Sequence, residues 1–133
     1  MTALPTGPLA AQSPAEEIVL RVIPMPADTV LGELISGGWV MSKLDQAGSV
    51  LPARLSGNRV ALVAVDKLAF TKPVLLGDVV TFHSSLLKVG TTSVTVQVTA
   101  TTERRDGSHR ETVTRCQMTY VALDDDRRPA PIK

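Results

Sequence analysis

Between Gly37 and Leu51 the apolar residues recur at steps of three and four, whereas from Arg59 onward the chain settles into a period of two. In the first stretch Val40, Leu44, Ala47 and Leu51 share one helical face, which predicts a single long helix opened by the Gly37-Gly38 pair. Pro52 is expected to kink or end it near Leu51, because proline lacks an amide proton and crowds the preceding turn. Upstream, Glu17 to Pro24 alternates weakly and is rich in Ile and Val, a strand closed by Pro24 and Pro26. Downstream, the unbroken apolar run Val60-Ala61-Leu62-Val63-Ala64-Val65 suits a central strand covered on both faces. Val79 to Lys88, Val94 to Ala100 and Thr112 to Leu123 read as further strands. In Val94 to Ala100 the apolar residues take one face and the polar ones the other, so that part of the sheet is covered on one side only. Turns fit at Ser56-Gly57-Asn58, Gly77-Asp78, Val89-Gly90 and Asp106-Gly107.

One long helix followed by at least four strands on mostly short turns implies an α+β domain, an antiparallel sheet wrapped around that helix. A lone helix covers the sheet only in part, so a second subunit is expected and the chain reads as a homo-oligomer. With 133 residues there is room for one domain. We assign it to residues 16–123, with tails at residues 1–15, which carry Pro5, Pro8 and Pro14, and at residues 124–133.

Composition narrows the choice of partners. Fourteen Lys and Arg stand against thirteen Asp and Glu, so no global field recruits nucleic acid or an anionic membrane. The few aromatics, Trp39, Phe70, Phe82 and Tyr120, also speak against stacking on single-stranded nucleic acid. No apolar stretch approaches the roughly 18 residues of a membrane span. A lone Cys116 and an N-terminus without a secretory pattern point to the cytoplasm.

The predicted helix has a second face, small or polar, made of Gly38, Met41, Asp45, Gly48 and Pro52. The first amides of a helix have no internal partners and carry partial positive charge, so they can polarise a carbonyl and stabilise an oxyanion. About 10 Å along the same axis, Asp45 can serve as base or nucleophile. On spacing alone, Asp45 can equally be a solvated helix carboxylate and the glycine pair a turn.

Ordered motifs add to this. Gly37-Gly38-Trp39-Val40-Met41-Ser42-Lys43-Leu44-Asp45-Gln46-Ala47-Gly48 is followed by Val63 to Val74, by Gly77-Asp78-Val79-Val80 and by Lys88-Val89-Gly90-Thr91-Thr92-Ser93. Over residues 24–123 this set resembles the hotdog-fold acyl-CoA thioesterases, in their short cytosolic acyl-coenzyme A hydrolase branch. The resemblance implies hydrolysis of an acyl-CoA to a carboxylic acid and coenzyme A without metal or organic cofactor. It puts the catalytic carboxylate on Asp45 and the oxyanion amide on Gly38 or its immediate neighbours, and counts Gly37 among the substrate-binding residues. It runs Gly90, Thr91, Thr92 and Ser93 beside the coenzyme A chain and brings Lys72 and Lys88 to its phosphates. It also implies a homodimer as the smallest active unit, arranged as a trimer of dimers. One departure stands out: the family's upstream Asp-Thr-Asn segment reads Asp28-Thr29-Val30 here, with Thr29 and Glu33 as the nearest polar replacements.

A non-catalytic acyl-CoA binding or sensing domain is the alternative. A hotdog dehydratase would need a histidine beside the helix, and neither His83 nor His109 is near it in sequence. His83 reads as a packed or edge residue, His109 as solvated, Asp66 and Asp78 as structural, and Cys116 as buried. Two distant histidines and one cysteine do not make a zinc site.

Overall fold

The computed structural model describes residues 15–132, so all but the last residue of the expected N-terminal tail lie outside the described part. Strand β1 (Glu17–Val22) leads through a 3-10 turn at Pro26–Asp28 to a two-residue ribbon, β2 (Thr29–Val30) and β3 (Leu34–Ile35). Helix α1 (Gly37–Ser56) follows, then β4 (Arg59–Asp66), β5 (Val79–Val89), β6 (Ser93–Glu103) and β7 (Glu111–Leu123). The large sheet is antiparallel throughout, in the order β1-β5-β6-β7-β4.

Helix α1 lies across the inner face of this sheet. Val40, Leu44, Ala47 and Leu51 are buried, as their spacing predicts, against Val80, Phe82, Val94, Val96, Val98, Met118 and Tyr120. Alternation along β6 is equally clear, since Val94, Val96 and Val98 point inward. The helix does not stop at Pro52. It continues to Ser56, and Gly57 closes it at φ 68°, the left-handed conformation that glycine adopts without strain. Pro52 is buried in this last stretch, and burial of Leu51, Pro52 and Ser56 holds the turn that the missing amide weakens.

Two other expectations are corrected. The apolar run Val60–Val65 forms the edge strand β4, bonded on one side to β7, and Val63 is 59% exposed at a bulge. The C-terminal segment from Asp124 is not a loose tail. The Ala130 amide donates to the Ala122 carbonyl and the Ile132 amide to the Thr91 carbonyl, both at 2.8 Å, which folds the segment back over the end of the sheet. The ribbon β2–β3 has no periodic signal because each strand is two residues long. Leu31 (φ 48°) and Gly32 (φ 80°) make its tip. Hydrogen bonds from Ile35 to Val74 and from Leu76 to Glu33 tie it to the loop before β5.

That loop is anchored by Asp78. Only 1% exposed, its carboxylate accepts the Leu75 amide, the Thr102 hydroxyl and the Arg104 guanidinium, the last at 2.8 Å. Asp78 is therefore structural, as its place in a turn suggests.

Candidate active site

The first turn of α1 shows which amides are free. Ser36 caps the helix, its hydroxyl accepting the Trp39 amide at 3.1 Å while its carbonyl accepts the Val40 amide. The Ser36 amide in turn donates to the Asp28 carbonyl, so the cap is fixed to the loop before the ribbon. Gly37 and Gly38 donate to no acceptor among the described residues, and both are exposed. A side chain built at Gly38 would meet nothing within 4 Å, so open space adjoins its backbone. These two donors stand at the positive end of a 20-residue helix, where such amides are able to polarise a carbonyl.

Asp45 lies two turns further along the same rod, exposed, and its carboxylate is not solitary. The Tyr120 hydroxyl, coming from β7, lies 2.9 Å from Oδ1 and 3.0 Å from the Asp45 carbonyl oxygen. Tyr120 is buried, and burial foremost, then its bond to Asp45 and the Asp45 charge, raise its ionisation above the ordinary phenol range. It thus stays a protonated donor. Close approach at Gly48 is made by this ring and not by an outside molecule, because Gly48 is buried against Tyr120 and Met118. Sequence reasoning missed Tyr120. The available signal was a single tyrosine inside an inward-facing alternation, since a buried phenol demands a partner for its hydroxyl.

Beside the helix start, a cavity of about 150 Å³ is lined by apolar groups that include Leu34, Ile35, Val40, Phe70 and Val74, together with Gly37 and Lys72. Lys72 Nζ lies 3.3 Å from Glu111 Oε2 at that end of the sheet. Lys88 and the Gly90–Ser93 turn lie at the other end. Val94 pairs with Tyr120, whereas the Thr71 amide near Lys72 bonds Val113, seven residues away along β7. That spacing is roughly 24 Å. One chain therefore gathers Gly37, Gly38 and Lys72 at one end and Asp45, Tyr120 and the turn nearer the other, without joining the two lysines. The turn is firmly held: the Gly90 amide donates to the Ser93 carbonyl, and the Thr92 carbonyl accepts the Ala122 amide.

Val30 is exposed on the ribbon, and of its polar neighbours Thr29 spends its hydroxyl on the Pro26 carbonyl while Glu33 stays exposed. Burial pushes the Cys116 thiol up to about 11, which leaves it protonated and unreactive. No helix of the described residues is long and apolar enough to cross a membrane.

Comparison with known proteins shows what this fold is similar to. Residues 32–108 match the model of the thioesterase superfamily. The acyl-CoA thioester hydrolase YciA of Salmonella typhimurium is 36% identical over 123 residues, covering 90% of this chain and 92% of that protein. The hexameric thioesterase y2039 from Yersinia pestis superposes with a TM-score of 0.83 at 37% identity, over 88% of this chain and 95% of that one. The hexameric hotdog fold thioesterase Cj0915 of Campylobacter jejuni gives a TM-score of 0.81 at 36% identity, over 88% and 90% of the two chains.

Proposed function

Since the chain belongs to the thioesterase superfamily and is a hotdog-fold thioester hydrolase acting on acyl-CoA, we propose how its own residues perform that hydrolysis. The thioester carbonyl oxygen is received by the Gly37 and Gly38 amides, which polarise the carbonyl and hold the oxyanion that forms on attack. The attack comes from the Asp45 carboxylate of the adjoining subunit, because the Asp45 of the same helix lies about 10 Å from these amides; it acts either by taking a proton from water or by adding to the carbonyl itself. The C–S bond then breaks and the coenzyme A sulfur leaves as thiolate and takes up a proton; water attack gives the acid at once, whereas addition of Asp45 leaves an anhydride that water hydrolyses to the acid and the free carboxylate. The apolar cavity beside Gly37 suits the acyl group. Neither metal nor organic cofactor has a part in this reading.

The observation that carries it is that α1 bears two unpartnered amides, that of Gly38 next to open space, and a carboxylate two turns away, which two adjoining copies of the chain can set against one carbonyl. Further support comes from a hexameric broad specificity acyl-coenzyme A thioesterase, 34% identical, that was solved with an aspartate changed to alanine.

The working unit in this reading is a homodimer, within a trimer of dimers. Strand β4 carries the composition of a covered central strand but ends the sheet in one chain, and a second copy added along it would make it central. A neighbouring subunit would also bring Lys88 and Gly90 to Ser93 within reach of the partner's coenzyme A, which one chain does not do for Lys72 and Lys88 together. The cytoplasm, where thiols stay reduced, suits the lone Cys116.

Free-thiol release from short, medium, long and aryl acyl-CoAs, run beside Asp45→Asn, tests the reading. Turnover that falls by about a thousandfold in the variant, with coenzyme A binding kept, supports it. Unchanged turnover in the variant defeats it, and binding without thiol release by the unaltered protein favours an acyl-CoA sensor.

A further inference from the structure

Asp45 faces its surroundings with two inequivalent oxygens. Oδ1 accepts from the buried Tyr120 hydroxyl, while Oδ2 has no partner among the described residues. A phenol has one proton to give, and two acceptors are in range. The Asp45 carbonyl is a mid-helix group that the backbone can already satisfy, whereas the carboxylate is charged, so the proton is best placed on Oδ1.

Packing enforces this contact. Tyr120 stands on the inward face of β7 with Met118 and Ala122, a rigid ring fixed at its base by the sheet. Its tip reaches α1 only because residue 48 has no side chain. A Cβ at Gly48 would lie 2.6 Å from the Tyr120 hydroxyl, 3.3 Å from its ring and 3.0 Å from the Met118 sulfur. The helix and the sheet therefore meet at a seat shaped for one hydroxyl, three residues beyond the carboxylate it serves.

We propose that Tyr120 is a positioning residue, whose hydroxyl holds the Asp45 carboxylate in the orientation that presents Oδ2 to substrate, and that Gly48 is the seat that admits it. The proposal rests on Asp45 being the reacting carboxylate. An oriented carboxylate lowers the barrier to reaction and does little for ground-state binding, so the loss belongs in kcat and not in KM.

A double-mutant cycle between Tyr120→Phe and Asp45→Ala, read by thiol release from the best acyl-CoA and with folding checked by thermal melts, tests it. Tyr120→Phe should lower kcat about ten- to a hundredfold, the factor expected for a hydrogen bond to a charged group, with KM within about twofold. In the Asp45→Ala background it should change the residual rate no further. An unchanged kcat in Tyr120→Phe, or the same loss in both backgrounds, overturns the proposal while leaving Asp45 in its role. Full turnover in Asp45→Ala alone removes the reading beneath it. Gly48→Ala, which displaces the hydroxyl without deleting it, gives a second route should Tyr120→Phe not fold. It should lower kcat only when Asp45 is present, and loss independent of Asp45 counts against the proposal. Adding Tyr120→Phe to Gly48→Ala should restore part of the melting temperature and none of kcat; restored kcat overturns the proposal.

Discussion

The Ser36 hydroxyl accepts the Trp39 amide at 3.1 Å, and this one bond decides which donors at the head of the helix stay available. Trp39 and Val40 are satisfied, the latter by the Ser36 carbonyl, so the amides left for the proposed oxyanion role are those of Gly37 and Gly38.

Gly38→Ala separates that role from folding. The added Cβ enters open space, and alanine favours the helix, so the melting temperature should hold or rise slightly. The methyl stands where a thioester must approach, and kcat/KM should fall about tenfold or more. Parallel melts and thiol-release kinetics check both halves, and full activity would remove Gly38 from the oxyanion site. Ser36→Ala should instead cost about 1 kcal/mol of stability through loss of the cap.

A second expectation concerns ionisation of Tyr120, which is the single tyrosine of the chain and so can be followed by its phenolate absorbance alone. Burial and the neighbouring Asp45 charge both raise its folded value above the unfolded one, near 10. The stability this represents is complete below about pH 10 and is lost as pH climbs toward the folded value. Phenolate should therefore appear only well into the alkaline range, close to unfolding. In Asp45→Asn it should appear earlier, because the charge is gone, yet still above the ordinary range, because burial remains. Identical titrations in the two proteins would mean that hydroxyl and carboxylate do not interact.

Asp78 should behave as a pure fold determinant. It is buried while Arg104 is partly exposed, so Asp78→Asn breaks a hydrogen-bonded charge pair whose cation can still reach water. A loss of about 2–3 kcal/mol is expected, at the lower end for such pairs. Urea midpoints at matched protein concentration measure it, and kinetic constants of the folded fraction should stay the same.

Much of this molecule was legible from its pattern, and the exceptions share a cause. The stripe Val40, Leu44, Ala47, Leu51 and the inward set Val94, Val96, Val98 are local periodicities, and a single sequence displays them. Pro52 misled because a helix interior can retain a proline when neighbouring burial outweighs one missing bond. The ribbon at Thr29–Ile35 is too short to have a period, and the return of residues 124–132 depends on distant acceptors at Ala122 and Thr91. Of the proposed site, Asp45, Gly37 and Gly38 stand out in the sequence because one helix carries all three. Tyr120 was not, since its partner lies 75 residues away in sequence and only the sheet register brings them together.

The strand Val60–Val65 is the instructive exception, since its composition fits a place that one chain does not give it. A central strand is apolar on both faces and bonded on both sides, whereas β4 is bonded to β7 alone and leaves Val63 59% exposed. Exposed edges of this kind are usually guarded by charge, and between Arg59 and Asp66 the strand carries none. If a second copy completes the strand, a charge set at Val63 must be buried unpaired in the assembly while costing the isolated chain little. Val63→Lys should therefore shift sedimentation from oligomer toward folded monomer, with far-ultraviolet dichroism of a folded α+β chain. Thiol release should fall in step with dissociation and recover partly at high protein concentration. An oligomer of unchanged size and activity would place the subunit contact away from β4, and the gathering of Lys88 and the Gly90–Ser93 turn onto a partner's site would then need another geometry.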